Sequence, residues 1–220
     1  MNNLYFGNKP QLISETIIER ARKLTSTLLA DAMGCTGAMD YTIKPVAKGM
    51  KMVGTALTVK MRAGDNLFLH KAITIGEPGY ILVADGKGHT GNAYLGELMA
   101  EAAKFNQVEG IVIDGAVRDQ DALIELDLPI FAKGFSPNGP HKDGPGEINT
   151  PISCGGVTVQ AGDLVFADND GVVIVPMVKI EKVLGLAEEK LEYENKRKFE
   201  IRSGIVEPSW LKLKLAIYEK

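Results

Sequence analysis

Apolar residues repeat along this chain in two periods, and the switches between them divide it into elements. Residues 14–32 repeat at helical spacing, interrupted near Leu24-Thr25-Ser26-Thr27, where Ser26 or Thr27 is placed to cap a second short helix that stops at Gly34. Residues 41–46 and 51–61 alternate apolar with polar and are rich in Val, Thr and Ile, which predicts half-buried strands. Helical spacing returns over 66–75. Residues 80–84 form a short apolar run of the buried-strand kind, and Asp85 with Gly86, Gly88 and Gly91 marks where the chain leaves the sheet. Residues 97–105 place Leu98, Ala102 and Phe105 on one helical face, and 108–117 read as a second buried strand. A short helix over 120–126 and a strand over 130–133 continue the rhythm. Residues 135–150, dominated by glycine, proline and polar residues, predict a long loop that either covers a site or is flexible surface.

The second half is more β than α. Residues 152–159 and 164–175 read as strands, with Asn169-Asp170-Gly171 as a hairpin turn. From Met177 a helix carries Ile180, Leu184, Ala187 and Leu191 on one stripe, which Glu194 continues as an acid. Without repeats or a linker, these elements predict one domain over 1–220. Its class is α/β, a compact mixed-sheet α/β sandwich of the swivelling-domain type, with a C-terminal helical extension from about 177.

Composition narrows the function. The chain has 220 residues, 45% hydrophobic and 24% charged, enough for one well-buried core. A net charge of -3 argues against nucleic acid as a partner, because a broad phosphate footprint needs a basic face. The first ten residues are polar and end in Pro10, unlike a secretory leader, and no apolar run is long enough to span a bilayer, so no membrane role and a cytoplasmic location are expected. Cys35 and Cys154 lack metal spacing and are read as two buried free thiols.

The candidate chemistry lies between Tyr80 and Asp119. A helix starting near Gly96-Glu97 offers free N–H groups of Glu97, Leu98 and Met99 and the positive end of its dipole, which suits a carboxylate or phosphate. Arg118, at the end of the next strand, offers a planar fork for the same ligand, and Asp119 a hard oxygen for Mg²⁺ or Mn²⁺. A small metal-bound oxo acid uses all three. Most adjacent Arg-Asp pairs are plain surface ion pairs, and acids in a first helical turn commonly serve only the dipole. Here the convergence of glycine loop, helix start and Arg-Asp pair favours a site. Gly86 to Gly91 also matches GxGxxG, so a dinucleotide site is a rival, although Asn92 to Leu95 separate the glycines from the helix. No Gly-Lys-Ser/Thr follows, which excludes a P-loop. His70, His89 and His141 lack zinc-ligand spacing, and Ser136 and His141 are weak candidates in the long loop.

Gly96-Glu97, the twenty residues between Glu97 and Arg118, and the run Asp114-Gly115-Ala116-Val117-Arg118-Asp119 resemble the regulator of ribonuclease activity A family. The resemblance extends through 129–134, 149–156 and 162–176 and back to Ala30-Asp31-Ala32-Met33-Gly34. Its enzymatic members are 4-hydroxy-4-methyl-2-oxoglutarate aldolases, which usually carry Asp where this chain has Glu97. The resemblance implies that the backbone of Gly96, Glu97, Leu98 and Met99, with Arg118, binds the pyruvoyl part of a 2-oxo acid. It also implies that Asp119 ligates the metal and that Glu194 enters a neighbouring subunit's site. The expected activity is therefore a divalent-metal-dependent lyase, with oxaloacetate decarboxylation as a side reaction and a homotrimer or hexamer as the assembly. Glu97, Arg118 and Glu194 are its catalytic candidates. The non-enzymatic alternative is a protein that modulates an RNA-processing enzyme.

Overall fold

The computed structural model describes residues 6–218, so the opening polar stretch read above lies partly outside the described residues. Four parallel strands form the middle of the sheet, in the order β5 (Ile130–Phe135), β4 (Gly110–Val117), β3 (Tyr80–Leu95) and β2 (Met52–Met61). Every residue of β4 is buried, which is why its sequence is a near-continuous apolar run without alternation. On one flank β1 (Lys44–Pro45) pairs antiparallel with β5. On the other, β9 (Leu164–Asp168) runs antiparallel to β2 and turns into β10 (Gly171–Val175), the hairpin expected from Asn169-Asp170-Gly171. β6 (Gly146–Ile148) pairs with the end of β2. The sheet curls until its two edges approach: Ala38 bridges to Val173, and Lys44 Nζ donates to Asp170 O at 2.6 Å. A separate hairpin, β7 (Ile152–Cys154) and β8 (Val157–Val159), packs against this sheet.

Helices cover the sheet in two groups, each with its own apolar cluster. α3 (Leu67–Ile75), α4 (Glu97–Phe105) and α5 (Gln120–Glu125) belong with the parallel strands. α1 (Glu15–Arg22), α2 (Ser26–Ala32) and α6 (Ile180–Arg202) enclose Val53, Phe166, Val173 and Val175 on the antiparallel side. A 3-10 turn, Met177–Lys179, precedes α6, and α7 (Leu211–Leu215) follows it. The expected α/β mixed-sheet sandwich is what these layers form. Among the described residues no helix is long and apolar enough to cross a membrane.

Several local expectations are corrected. Only Lys44–Pro45 of the segment 41–46 is strand, because Asp40 closes a turn by accepting the Thr42 N–H and hydroxyl at 2.8 and 2.6 Å, leaving Tyr41 exposed. The cap of α2 is Thr25, whose hydroxyl accepts the Leu28 N–H, while Ser26 is engaged with Asp168. Cys154 is buried as expected, but Cys35 is exposed, in the left-handed conformation next to Gly34 where the chain leaves α2. The glycines after Asp85 do not leave the sheet. They belong to β3, which continues to Leu95 with three register shifts against β4, an arched strand that glycine tolerates.

Candidate active site

The site is built where β3 and β4 end side by side. Arg118 N–H donates to Leu95 O at 3.0 Å and carries the pairing one residue past β4. Asp119 then adopts a left-handed conformation, φ 60°, which costs a non-glycine residue on the order of 1 kcal/mol and turns the chain sharply into α5. That turn swings the Asp119 carboxylate back onto the start of α4. Its Oδ2 accepts the Glu97 N–H at 3.0 Å and lies 3.5 Å from Arg118 Nε. Gly96 has an ordinary extended backbone, but a Cβ there would meet Asp119 Oδ2 and come within 2.9 Å of Arg118 Nε, so a larger residue would push both side chains out of this arrangement. Gly96, Arg118 and Asp119 are thus one packed unit.

This unit corrects the expectation of three free N–H groups. Asp119 occupies the Glu97 N–H, and Met99 N–H returns to Gly96 O, so among the described residues only the Leu98 N–H of the three is left without an acceptor. Asp119 still has Oδ1 unengaged by any described residue. With side chains 44% and 40% exposed, Arg118 and Asp119 both remain open to a ligand. They line a cleft of about 430 Å³ with Gly96 to Met99.

The opposite wall was not foreseen. Asn66, which precedes α3, and His70, one turn further on within it, line it together with Lys142 from the long loop. That loop is not flexible surface. Asp65 pins it, Oδ2 accepting the N–H groups of Asp143 and Gly144 at 2.6 and 2.9 Å, while Oδ1 accepts that of Leu67. Burial alone would raise the Asp65 carboxyl, but these three backbone donors outweigh it and hold it below the ordinary carboxylate value. His70 is shifted the other way for a base: burial, aided by the Lys142 charge, lowers its imidazole and favours the neutral form. Tyr94 braces both walls from below, its hydroxyl donating to Gly86 O and accepting the Gly64 N–H. The signals for this wall were faint: Asp65-Asn66 reads as a helix start, and Lys142 carries no pattern.

The other candidates separate. Glu97 is exposed on the first turn of α4, and Leu98 beside it is 84% exposed. Glu194 does not reach its own chain's site, because α6 packs on α1 and α2; its only described ion pair is with Lys198, at 3.8 Å. Ser136 Oγ donates to Gly91 O, and the His141 backbone brackets Gly64 and Asn66, both structural roles. The GxGxxG match is interrupted as a nucleotide motif, since its glycines are strand and the helix begins only at Glu97.

A curled mixed sheet with an arginine, an open carboxylate and a helix N-terminus at the carboxyl ends of adjacent parallel strands makes this an α/β protein whose candidate site lies where open α/β sheets hold ligands. The chain belongs to the Aldolase/RraA family, whose model matches residues 26–174. It is 37% identical over 189 residues to a Halalkalibacterium halodurans protein named "Putative 4-hydroxy-4-methyl-2-oxoglutarate aldolase", covering 86% of this chain and 90% of that protein. Among solved structures, it is similar to a Pseudomonas syringae pv. tomato protein with a TM-score of 0.78 at 26% identity, covering 88% of this chain and 96% of that one. It also resembles the RNA-processing inhibitor RraA of a Thermus species, with a TM-score of 0.63 and 30% identity over 69% of this chain and 92% of that one.

Proposed function

We propose that this protein is a divalent-metal-dependent lyase of the class II aldolase type. It cleaves the bond between C3 and C4 of a 4-hydroxy-2-oxo acid, such as 4-hydroxy-4-methyl-2-oxoglutarate, and releases pyruvate. The observation that carries this reading is the packed unit of Gly96, Arg118 and Asp119, which leaves one carboxylate oxygen, one guanidinium fork and one helix N–H facing the same cleft.

The donors fit a hard cation that keeps most of its own water. Asp119 Oδ1, a hard carboxylate oxygen unengaged by any described residue, is of the kind that Mg²⁺ or Mn²⁺ takes. Asp119 would hold such an ion, which would supply Lewis-acid polarisation of the 2-oxo group. Arg118 donates to the oxygen on which enolate charge grows, and the Leu98 N–H receives the substrate carboxylate at the positive end of α4. The proton on the C4 hydroxyl leaves through a water ordered by Glu97, the bond breaks toward C3, and C3 is then protonated to give pyruvate. Decarboxylation of oxaloacetate uses the same enolate and is the expected side activity.

The assembly is part of this proposal. Glu194 ends the buried stripe of α6 and is 38% exposed, and beyond it Phe199, Ile205, Val206 and Leu213 are exposed apolar residues, as is Phe105 on α4. A closed trimer, or two stacked trimers, would cover these faces and bring Glu194 of one copy to the water beside Glu97 of another. The cytoplasm is the proposed compartment, in keeping with two unpaired cysteines.

The test is pyruvate release from 4-hydroxy-4-methyl-2-oxoglutarate and from oxaloacetate, with Mg²⁺ and with chelator. Turnover that chelation abolishes is expected. No metal-dependent turnover on any 2-oxo acid would overturn the reading and leave the modulator role named for the Thermus relative as the better account.

A further inference from the structure

The apolar stripe of α4 is turned away from its own core. Leu98, Ala102 and Phe105 share one helical face, but the helix buries Ala100 and Ala103 instead, and Leu98 and Phe105 are left 84% and 86% exposed. With Glu101 they stand at positions i, i+3, i+4 and i+7, the spacing by which a helix seats one face in the groove of another molecule. Glu97 and Glu101 flank this ridge, and neither carboxylate has a hydrogen bond or ion pair among the described residues. Ile124 on the neighbouring α5 extends the exposed apolar surface. An apolar patch with unpaired acids beside it marks a contact surface more often than a solvated face.

The complementary surface lies in the other helix group. A groove of about 480 Å³ opens between the start of α6 and strands β8 and β10, with Met33, Val157 and Ile174 on its apolar side. Lys179, Lys182, Val183 and Leu186 form its other wall at the same i, i+3, i+4 and i+7 spacing, and both ammonium groups are without a partner among the described residues. Ridge and groove belong to different apolar clusters of the fold, so one copy cannot close them on each other. The segment after α6 is apolar too, but its Lys212 and Lys214 would set like charges against Lys179 and Lys182. We propose that the α4 ridge of one copy seats in the α6 groove of a second copy, with Glu97 and Glu101 set against Lys179 and Lys182. Because the two faces differ, the contact is head-to-tail and propagates around a ring, where identical faces would close a two-fold dimer. Leu98 belongs both to the ridge and to the cleft wall, so the second copy also covers the outer side of the cleft. The inference rests on the assembly in the reading above and names the two faces that meet.

The experiment is light scattering over a dilution series of the full chain. Glu101→Lys and Lys182→Glu should each raise the concentration at which the ring comes apart by at least about 10-fold, and the double variant should return it close to the wild-type value. Phe105→Asp and Leu186→Asp, which put a charge into the ridge and into the groove, should each abolish the ring while the helical circular-dichroism signal is unchanged, because both positions are exposed in the single chain. An equimolar mixture of those two should then form a complex larger than either alone, since each pair keeps one intact ridge and one intact groove. A monomeric wild type, a Leu186→Asp chain of wild-type mass, no rescue in the double variant, or a mixture no larger than its parts would overturn the inference. Failure of the lyase reading looks different: the ring would form and respond as described, while the wild-type protein released no pyruvate from any 2-oxo acid.

Discussion

Two aspartates in this fold do the same local job and differ in what they leave over. Asp163, where the chain turns into β9, is 5% exposed and spends both oxygens on backbone, accepting Gln160 N–H at 2.8 Å and Met177 N–H at 2.9 Å. Asp119 likewise accepts a backbone N–H, from Glu97, but only through one oxygen, and its side chain is 40% exposed beside an arginine. The first is a satisfied clasp; the second is a clasp with a spare valence facing a cleft. A carboxylate bound to backbone is therefore no sign of function by itself, and the unused oxygen makes the difference.

The comparison is broken most directly at Arg118. Arg118→Lys keeps the charge but loses the fork, so turnover should fall by roughly 10²–10³-fold with the thermal midpoint almost unchanged, measured by steady-state kinetics alongside calorimetry. Asp163→Ala should show the opposite pattern. Two buried N–H groups lose their acceptor, destabilising the fold by roughly 2–4 kcal/mol in urea titrations while the activity of the folded fraction is retained. Glu194→Gln should lower turnover by about 10-fold without changing the mass measured by light scattering, and mixing it with Arg118→Lys should restore some activity through hybrid sites.

A smaller effect separates the buried carboxylates Asp163 and Asp65 by pH. Burial raises the Asp163 carboxyl despite its two backbone donors, so the folded state binds that proton more tightly than the unfolded one. Its stabilising contribution is present below the unfolded value of 3.8 and is lost as pH rises through the higher folded value. Asp65 has the reverse slope: its contribution is present above the unfolded value of 3.8 and is lost as pH falls through its lowered folded value. Stability against pH should then lose part of its acid-side decline in Asp65→Asn, the rest being carried by Asp40, Glu147 and Glu188, and should fall less as pH rises above about 4 in Asp163→Asn.

Most of the fold was legible because it depends on local periodicity. The apolar run of β4 and the Asn169-Asp170-Gly171 turn carry their structure in adjacent residues, whereas the expected α4 face of Leu98, Ala102 and Phe105 is exposed and Ala100 and Ala103 are the buried ones. Gly96, Arg118 and Asp119 were legible as candidates, but not the left-handed turn that lets Asp119 cap α4, which depends on β3 and β4 ending side by side. The wall of Asn66, His70 and Lys142 was illegible for the same reason. Lys142 reaches the cleft only because Asp65, far away in sequence, holds its loop.

The central claim is that the spare oxygen of Asp119 is functional. The Mg²⁺ concentration giving half-maximal pyruvate release, measured in the wild type and in Asp119→Asn, tests it most directly. The account predicts an increase of at least about 10-fold in the variant, because a neutral amide is a poorer donor to a hard cation, with the fold intact. An unchanged Mg²⁺ requirement at unchanged turnover would contradict it and return Asp119 to the class of Asp163.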